Sequence, residues 1–79
     1  NSEEFYNTWK KSEDEYRLIA EMIELRKQKG ISQTQLARTI GNRQQVISRI
    51  EKKENSPSLK MFCCILDSLG YELKIVKKN

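Results

Sequence analysis

Seventy-nine residues are enough for one domain around one small core, and the longest apolar run, Met61 to Leu66, is too short to span a bilayer. The absence of histidine rules out imidazole-based triads and leaves a zinc site only carboxylates and two thiols, which are adjacent in sequence and point apart on a helix. The net charge of +4 hides an asymmetry: residues 1–15 carry five acids and two lysines, net −3, while residues 16–79 carry thirteen Lys or Arg against six acids, net +7.

The basic portion suits a polyanionic partner, although a solvated basic surface has the same composition. No catalytic, metal or cofactor residues are expected, and the protein is expected not to be an enzyme. The start lacks the basic-then-apolar build of a signal peptide, so a cytoplasmic location without membrane contact is expected. Its first residue is Asn, so a few residues are expected to precede it in the translated chain.

Residues 1–13 read as an acidic N-terminal arm or short helix. Phe5, Tyr6 and Trp9 lie there as apolar residues in acidic surroundings, suited either to anchoring a partner or to packing over the first helix. A domain is expected over residues 14–70. From about Asp14, Leu18, Met22 and Leu25 recur at helical spacing with Ile19 and Ile23 beside them, and Gly30 closes the helix.

Ser32 followed by Gln35 has the form of a capping box opening a second helix, which turns Leu36, Ala37 and Ile40 inward and ends near Gly41. A third helix, Arg43 to about Lys52, divides cleanly. Val46, Ile47 and Ile50 take one side, and Gln45, Ser48, Arg49 and Lys52 follow i, i+3, i+4, i+7 on the other. After a polar loop, Ser56 as N-cap and Pro57 at the first position predict a fourth helix. Its buried face is Leu59, Phe62, Ile65, Leu66 and Leu69, with Cys63 packed, Cys64 on the surface and Gly70 as the stop. Residues 71–79 alternate apolar and charged side chains, which predicts a strand whose ladder partner must come from outside the chain.

Two short helices joined by a glycine-containing turn, the second with a Gln/Ser/Arg face, are what reading a major groove requires. Taken alone, that helix is equally an ordinary amphipathic one. The string Ser32-Gln33-Thr34-Gln35-Leu36-Ala37, then Gly41, Val46-Ile47-Ser48-Arg49-Ile50-Glu51 and Pro57-Ser58-Leu59, resembles the Cro/CI (Xre) helix-turn-helix repressors over roughly residues 18–70. The resemblance implies a mostly α fold: a lambda-repressor-like helix-turn-helix bundle of four to five helices, with a C-terminal β-strand, residues 71–79, used in dimerisation through Tyr71, Leu73 and Ile75. It implies a sequence-specific repressor that binds a double-stranded DNA operator as a homodimer.

By the same resemblance Gln33 contacts phosphate, Gln44 and Gln45 reach base edges, Ser48 and Arg49 extend that surface, and Lys52, Lys53 and Asn55 approach the backbone. Arg26 and Glu51 resemble a buried pair linking the first helix to the end of the third. Two positions depart from the pattern: Asn42, usually apolar, and Arg43, usually a Ser or Thr cap. Should the cap move to Asn42, the third helix starts a residue early and Arg43 becomes a DNA contact.

Within the family, the acidic extension, Glu13-Asp14-Glu15-Tyr16 and the Leu73-Lys74-Ile75 strand resemble HigA-type antitoxins. That implies the antitoxin of a type II pair, repressing its own operon and neutralising an RNA-cleaving toxin of the HigB/RelE kind, with Phe5, Tyr6 and Trp9 in the toxin contact. The alternatives are a stand-alone or phage-type Xre repressor without a toxin, and a protein-interaction module that has lost DNA binding.

Overall fold

Four helices form in chain order: α1 (Ser2–Gln28), α2 (Gln33–Thr39), α3 (Gln44–Glu51) and α4 (Leu59–Ser68). This computed structural model describes residues 13–79 in full and, for residues 2–12, the helical course alone. Phe5, Tyr6 and Trp9 therefore lie outside the described side chains. α1 begins well before Asp14, the point from which apolar spacing predicts it; no Pro or Gly interrupts residues 2–28.

Each helix buries one stripe. Ile19 and Met22 come from α1, Leu36 and Ala37 from α2, Ile47 and Ile50 from α3, and Phe62, Ile65 and Leu66 from α4, joined by Leu69 just beyond it. Leu18, Ile23 and Leu25 sit on the flanks of the α1 stripe and are only half-buried. No described helix is long and apolar enough to cross a membrane.

The helix ends follow one pattern. The amide two residues past the C-cap bonds back five residues and the one before it bonds back three, as in Ile31 N to Arg26 O at 3.1 Å and Gly30 N to Lys27 O at 2.9 Å. This closure needs a left-handed residue, which Gly30, Gly41 and Gly70 supply with positive φ; after α3 the residue is Lys53, at φ 64°.

Four expectations are corrected. The fourth helix is capped by Ser58, whose Oγ accepts from Met61 N at 3.0 Å, and not by Ser56 with Pro57 inside the helix. Only Ser58 stands three residues before the amide that needs an acceptor, and Pro57 lies outside. Leu59 consequently occupies the first helical position, beyond the core, and is 74% exposed. Cys63 is exposed like Cys64, because the stripe through Phe62, Ile65, Leu66 and Leu69 passes it by. Residues 71–79 form no strand: a single chain offers them no ladder partner, so the C-terminal β-strand predicted with Tyr71, Leu73 and Ile75 is absent among the described residues.

Candidate nucleic-acid interface

The capping box predicted at Ser32 sets the angle at which the chain enters α2. Ser32 Oγ accepts from Gln35 N at 3.0 Å, and Ser32 N donates to Gln35 Oε1 at 2.8 Å. Between α2 and α3 the chain reverses over Ile40 to Arg43, held by Asn42 N to Ala37 O at 2.8 Å and by Gly41 at φ 72°. The turn sets α3 against α2 through the buried Leu36, Ala37, Ile47 and Ile50, which leaves the polar side of α3 outward.

Arg43 is the N-cap of α3, at φ −94° and ψ 145°, with no side-chain cap. The Asn42 side chain instead accepts from the adjacent Arg43 amide at 2.8 Å, too close in sequence to cap the first turn. α3 therefore does not start a residue early, and the amides of its first turn lack a side-chain acceptor. Such amides, with exposed Arg43 beside them, are suited to phosphate oxygens.

Gln45, Arg49, Lys52, Lys53 and Asn55 are exposed and Ser48 is half-exposed, so the expected side chains line the outer side of α3 and the loop after it. Gln45, Ser48 and Arg49 make no side-chain hydrogen bond among the described residues, and their donors and acceptors stay available to base edges. Lys53 Nζ lies 4.9 Å from the Tyr16 ring centroid, which tethers the left-handed turn after α3 to α1.

Gln33 and Gln44 are tied into the protein by a chain of hydrogen bonds that begins in the core. Arg26 is 8% exposed; its Nε donates to Glu51 Oε2 at 2.7 Å, its Nη2 to Glu51 Oε1 at 2.8 Å and its Nη1 to Ile31 O at 2.8 Å. Glu51 Oε1 also accepts from Gln33 Nε2 at 2.9 Å, and Gln33 Oε1 accepts from Gln44 Nε2 at 2.6 Å. A carboxylate only accepts, so Gln33 must turn its NH2 to Glu51 and its carbonyl to Gln44. Gln44 then keeps one N–H and its carbonyl oxygen, the donor–acceptor pair that matches adenine N7 and N6 in the major groove.

The resemblance suggested the Arg26–Glu51 pair, but the Gln33–Glu51 link was not expected. The two residues lie 18 positions apart on different helices, and no sequence periodicity relates them. Tyr71 and Leu73 lie away from this surface, beside α1 and α4, where both line a groove of about 310 Å³ with Leu18 and Phe62; Ile75 is fully exposed.

Residues 22–76 match the family model described as helix-turn-helix. Over 59 residues the chain is 46% identical to an uncharacterized HTH-type transcriptional regulator of Haemophilus influenzae, a match covering 75% of this chain and 60% of that protein. The chain thus spans less than two thirds of the length of that relative. Among solved structures it resembles a chain from a toxin-antitoxin module of Streptococcus pneumoniae, with 36% identity and a TM-score of 0.71 over 92% of this chain and 80% of that one.

Proposed function

This chain belongs to the helix-turn-helix family, of the Xre/Cro-CI type, and from that premise we propose that it is a sequence-specific DNA-binding repressor acting as a homodimer on a two-fold operator. The observation that carries this reading is the Gln44 amide, oriented from the core through Gln33 and Glu51 beside the free Gln45, Ser48 and Arg49. Arg43, Lys52, Lys53 and Asn55 position the domain on phosphates without specifying sequence. In a dimer the two copies of α3 lie about 34 Å apart and face half-sites roughly 10 bp apart.

Two protomers supply about six cationic phosphate contacts through Arg43, Lys52 and Lys53, so affinity for duplex DNA should fall about a thousandfold between roughly 50 and 200 mM salt. Titration of a fluorescent duplex carrying the promoter of its own gene measures this. Salt-insensitive affinity, or equal affinity for that duplex and a scrambled one, refutes the reading.

The likeness to the Streptococcus pneumoniae toxin-antitoxin module supports a narrower reading, that the protein is the antitoxin of a type II pair and neutralises an RNA-cleaving toxin of the HigB/RelE kind. The segment 1–15, net −3, is repelled by phosphate and attracted to a cationic toxin, and Phe5, Tyr6 and Trp9 provide apolar anchors. Co-expression with the product of the adjacent gene tests it. The full chain should restore growth and co-purify with that product, whereas a chain lacking residues 1–12 should do neither while keeping its DNA affinity. A regulator without a toxin is the second reading; the Haemophilus influenzae relative, described as an HTH-type transcriptional regulator, supports the regulatory role that the two readings share.

A further inference from the structure

Glu51 is the meeting point of three N–H donors: Arg26 Nε on Oε2 at 2.7 Å, and Arg26 Nη2 at 2.8 Å with Gln33 Nε2 at 2.9 Å on Oε1. Its side chain is 7% exposed, so Glu51 itself is withheld from DNA. Yet only the Gln33 amide stands between it and Gln44, which is exposed at the start of α3.

Each amide in this chain has a polarity. Because the Gln33 NH2 faces a carboxylate, its carbonyl faces Gln44, whose Nε2 donates to it at 2.6 Å. Reversing Gln33 alone would set acceptor against acceptor at Glu51 and donor against donor at Gln44. Reversing both glutamines would mend the second contact and leave the first broken. Such a fault is costly, and no buried side-chain N or O among the described residues lacks a hydrogen-bond partner.

The two polarities offer DNA different groups. As observed, Gln44 turns outward one N–H and its carbonyl, the pair that matches adenine N7 and N6. Reversed, its carbonyl would face the Gln33 NH2 and its own NH2 would point outward, two donors for the acceptors N7 and O6 of guanine. Nothing in Gln44 itself decides between them, since a half-turn of its amide exchanges one for the other.

We propose that Glu51 is the residue that selects adenine over guanine at the base read by Gln44, acting through Gln33 as a positioning residue. Arg26 holds the carboxylate in place, with its own Nη1 fixed on Ile31 O at 2.8 Å. The assignment rests on the repressor reading above and names the group that fixes one part of its target preference.

The test is base preference at every position, read by sequencing the duplexes that each full-length variant selects from a library randomised across the promoter of its own gene. Gln44→Ala identifies the position concerned, where wild type should favour adenine over guanine by about fivefold or more. In Arg26→Met/Glu51→Leu, which frees Gln33 to turn either way, that ratio should fall to within about threefold while preferences elsewhere persist. Arg26→Glu/Glu51→Arg puts donors where the carboxylate was and should make guanine the preferred base. Gln33→Leu cuts the link at a half-buried position, leaves the Arg26–Glu51 pair intact and should lower the ratio as well, so it decides the matter if circular dichroism shows the buried-pair variants unfolded. A wild-type ratio kept in any folded variant, an even loss of preference at all positions, or a base other than adenine at the Gln44-dependent position overturns the assignment while the repressor reading stands. A wild-type protein that enriches no sequence overturns both.

Discussion

Removing the Glu51 carboxylate in Glu51→Ala should cost a large part of the protein's stability. The Arg26 and Glu51 side chains are 9% and 7% exposed, so water screens neither, and the substitution strands Arg26 Nε and Nη2 as buried donors of a charged group. Breaking a buried pair from one side costs about 3–5 kcal/mol. A chain of 79 residues at roughly 0.05–0.15 kcal/mol per residue has about 4–12 kcal/mol in total. With a urea dependence near 1 kcal/mol per molar, the midpoint should fall by about 3 M or more. The double variant Arg26→Met/Glu51→Leu removes both charges and should return to within about 2 kcal/mol of wild type, because the desolvation of the pair disappears with its attraction. Its DNA affinity should stay lower, since Gln33 has lost its acceptor. Urea unfolding followed by circular dichroism measures the first two effects and fluorescence titration of DNA the third. A loss below about 1 kcal/mol in Glu51→Ala would refute the reasoning.

Gln45→Ala or Arg49→Ala should each cost about 1–3 kcal/mol on the cognate duplex and little on random DNA, whereas Lys52→Ala should weaken both alike and reduce the salt slope by about one per protomer. Affinity measured on both duplexes across a salt series separates the two kinds of contact. Lys53→Gly should stabilise the fold by about 0.5 kcal/mol: relief of the left-handed backbone contributes about 1 kcal/mol, and losing the Tyr16 ring contact removes about half of it. It should weaken DNA binding as well. Gly41→Ala should go the other way and destabilise by about 1 kcal/mol through backbone strain alone, because no atom lies within 4 Å of the added methyl group; thermal melts check both.

Much of the fold was legible because local rules and packing agree. The Ser32–Gln35 box, the glycines at helix ends and the stripe through Ile47 and Ile50 each have a short-range signature that the tertiary structure reinforces. Legibility failed where two local solutions compete. Ser56-Pro57 reads as a cap followed by a first-turn proline, but it is the Ser58 hydroxyl that meets the orphan amide, Met61 N, and takes the cap. The tail alternates like a strand, but an edge without a partner does not form a ladder in one chain. On the recognition side, periodicity assigned Gln45, Ser48 and Arg49 to one surface. That Gln33 is held between Glu51 and Gln44 depends on how three helices converge, a relation spread over residues 26 to 51.

The link from Glu51 through Gln33 to Gln44 has a consequence for how the protein's target preference can change over evolution or in redesign. Gln44 leans on a neighbour whose orientation is dictated from the interior, so its replacement leaves the Gln33 carbonyl without a donor, and a new side chain must either satisfy that carbonyl or be accompanied by a change at Gln33. Substitutions at 33 and 44 should therefore be strongly non-additive, whereas Gln45 and Arg49, which share no hydrogen bond with either, can vary one at a time. New operators should be reached easily through the outer residues of α3 and only by paired steps through its first residue.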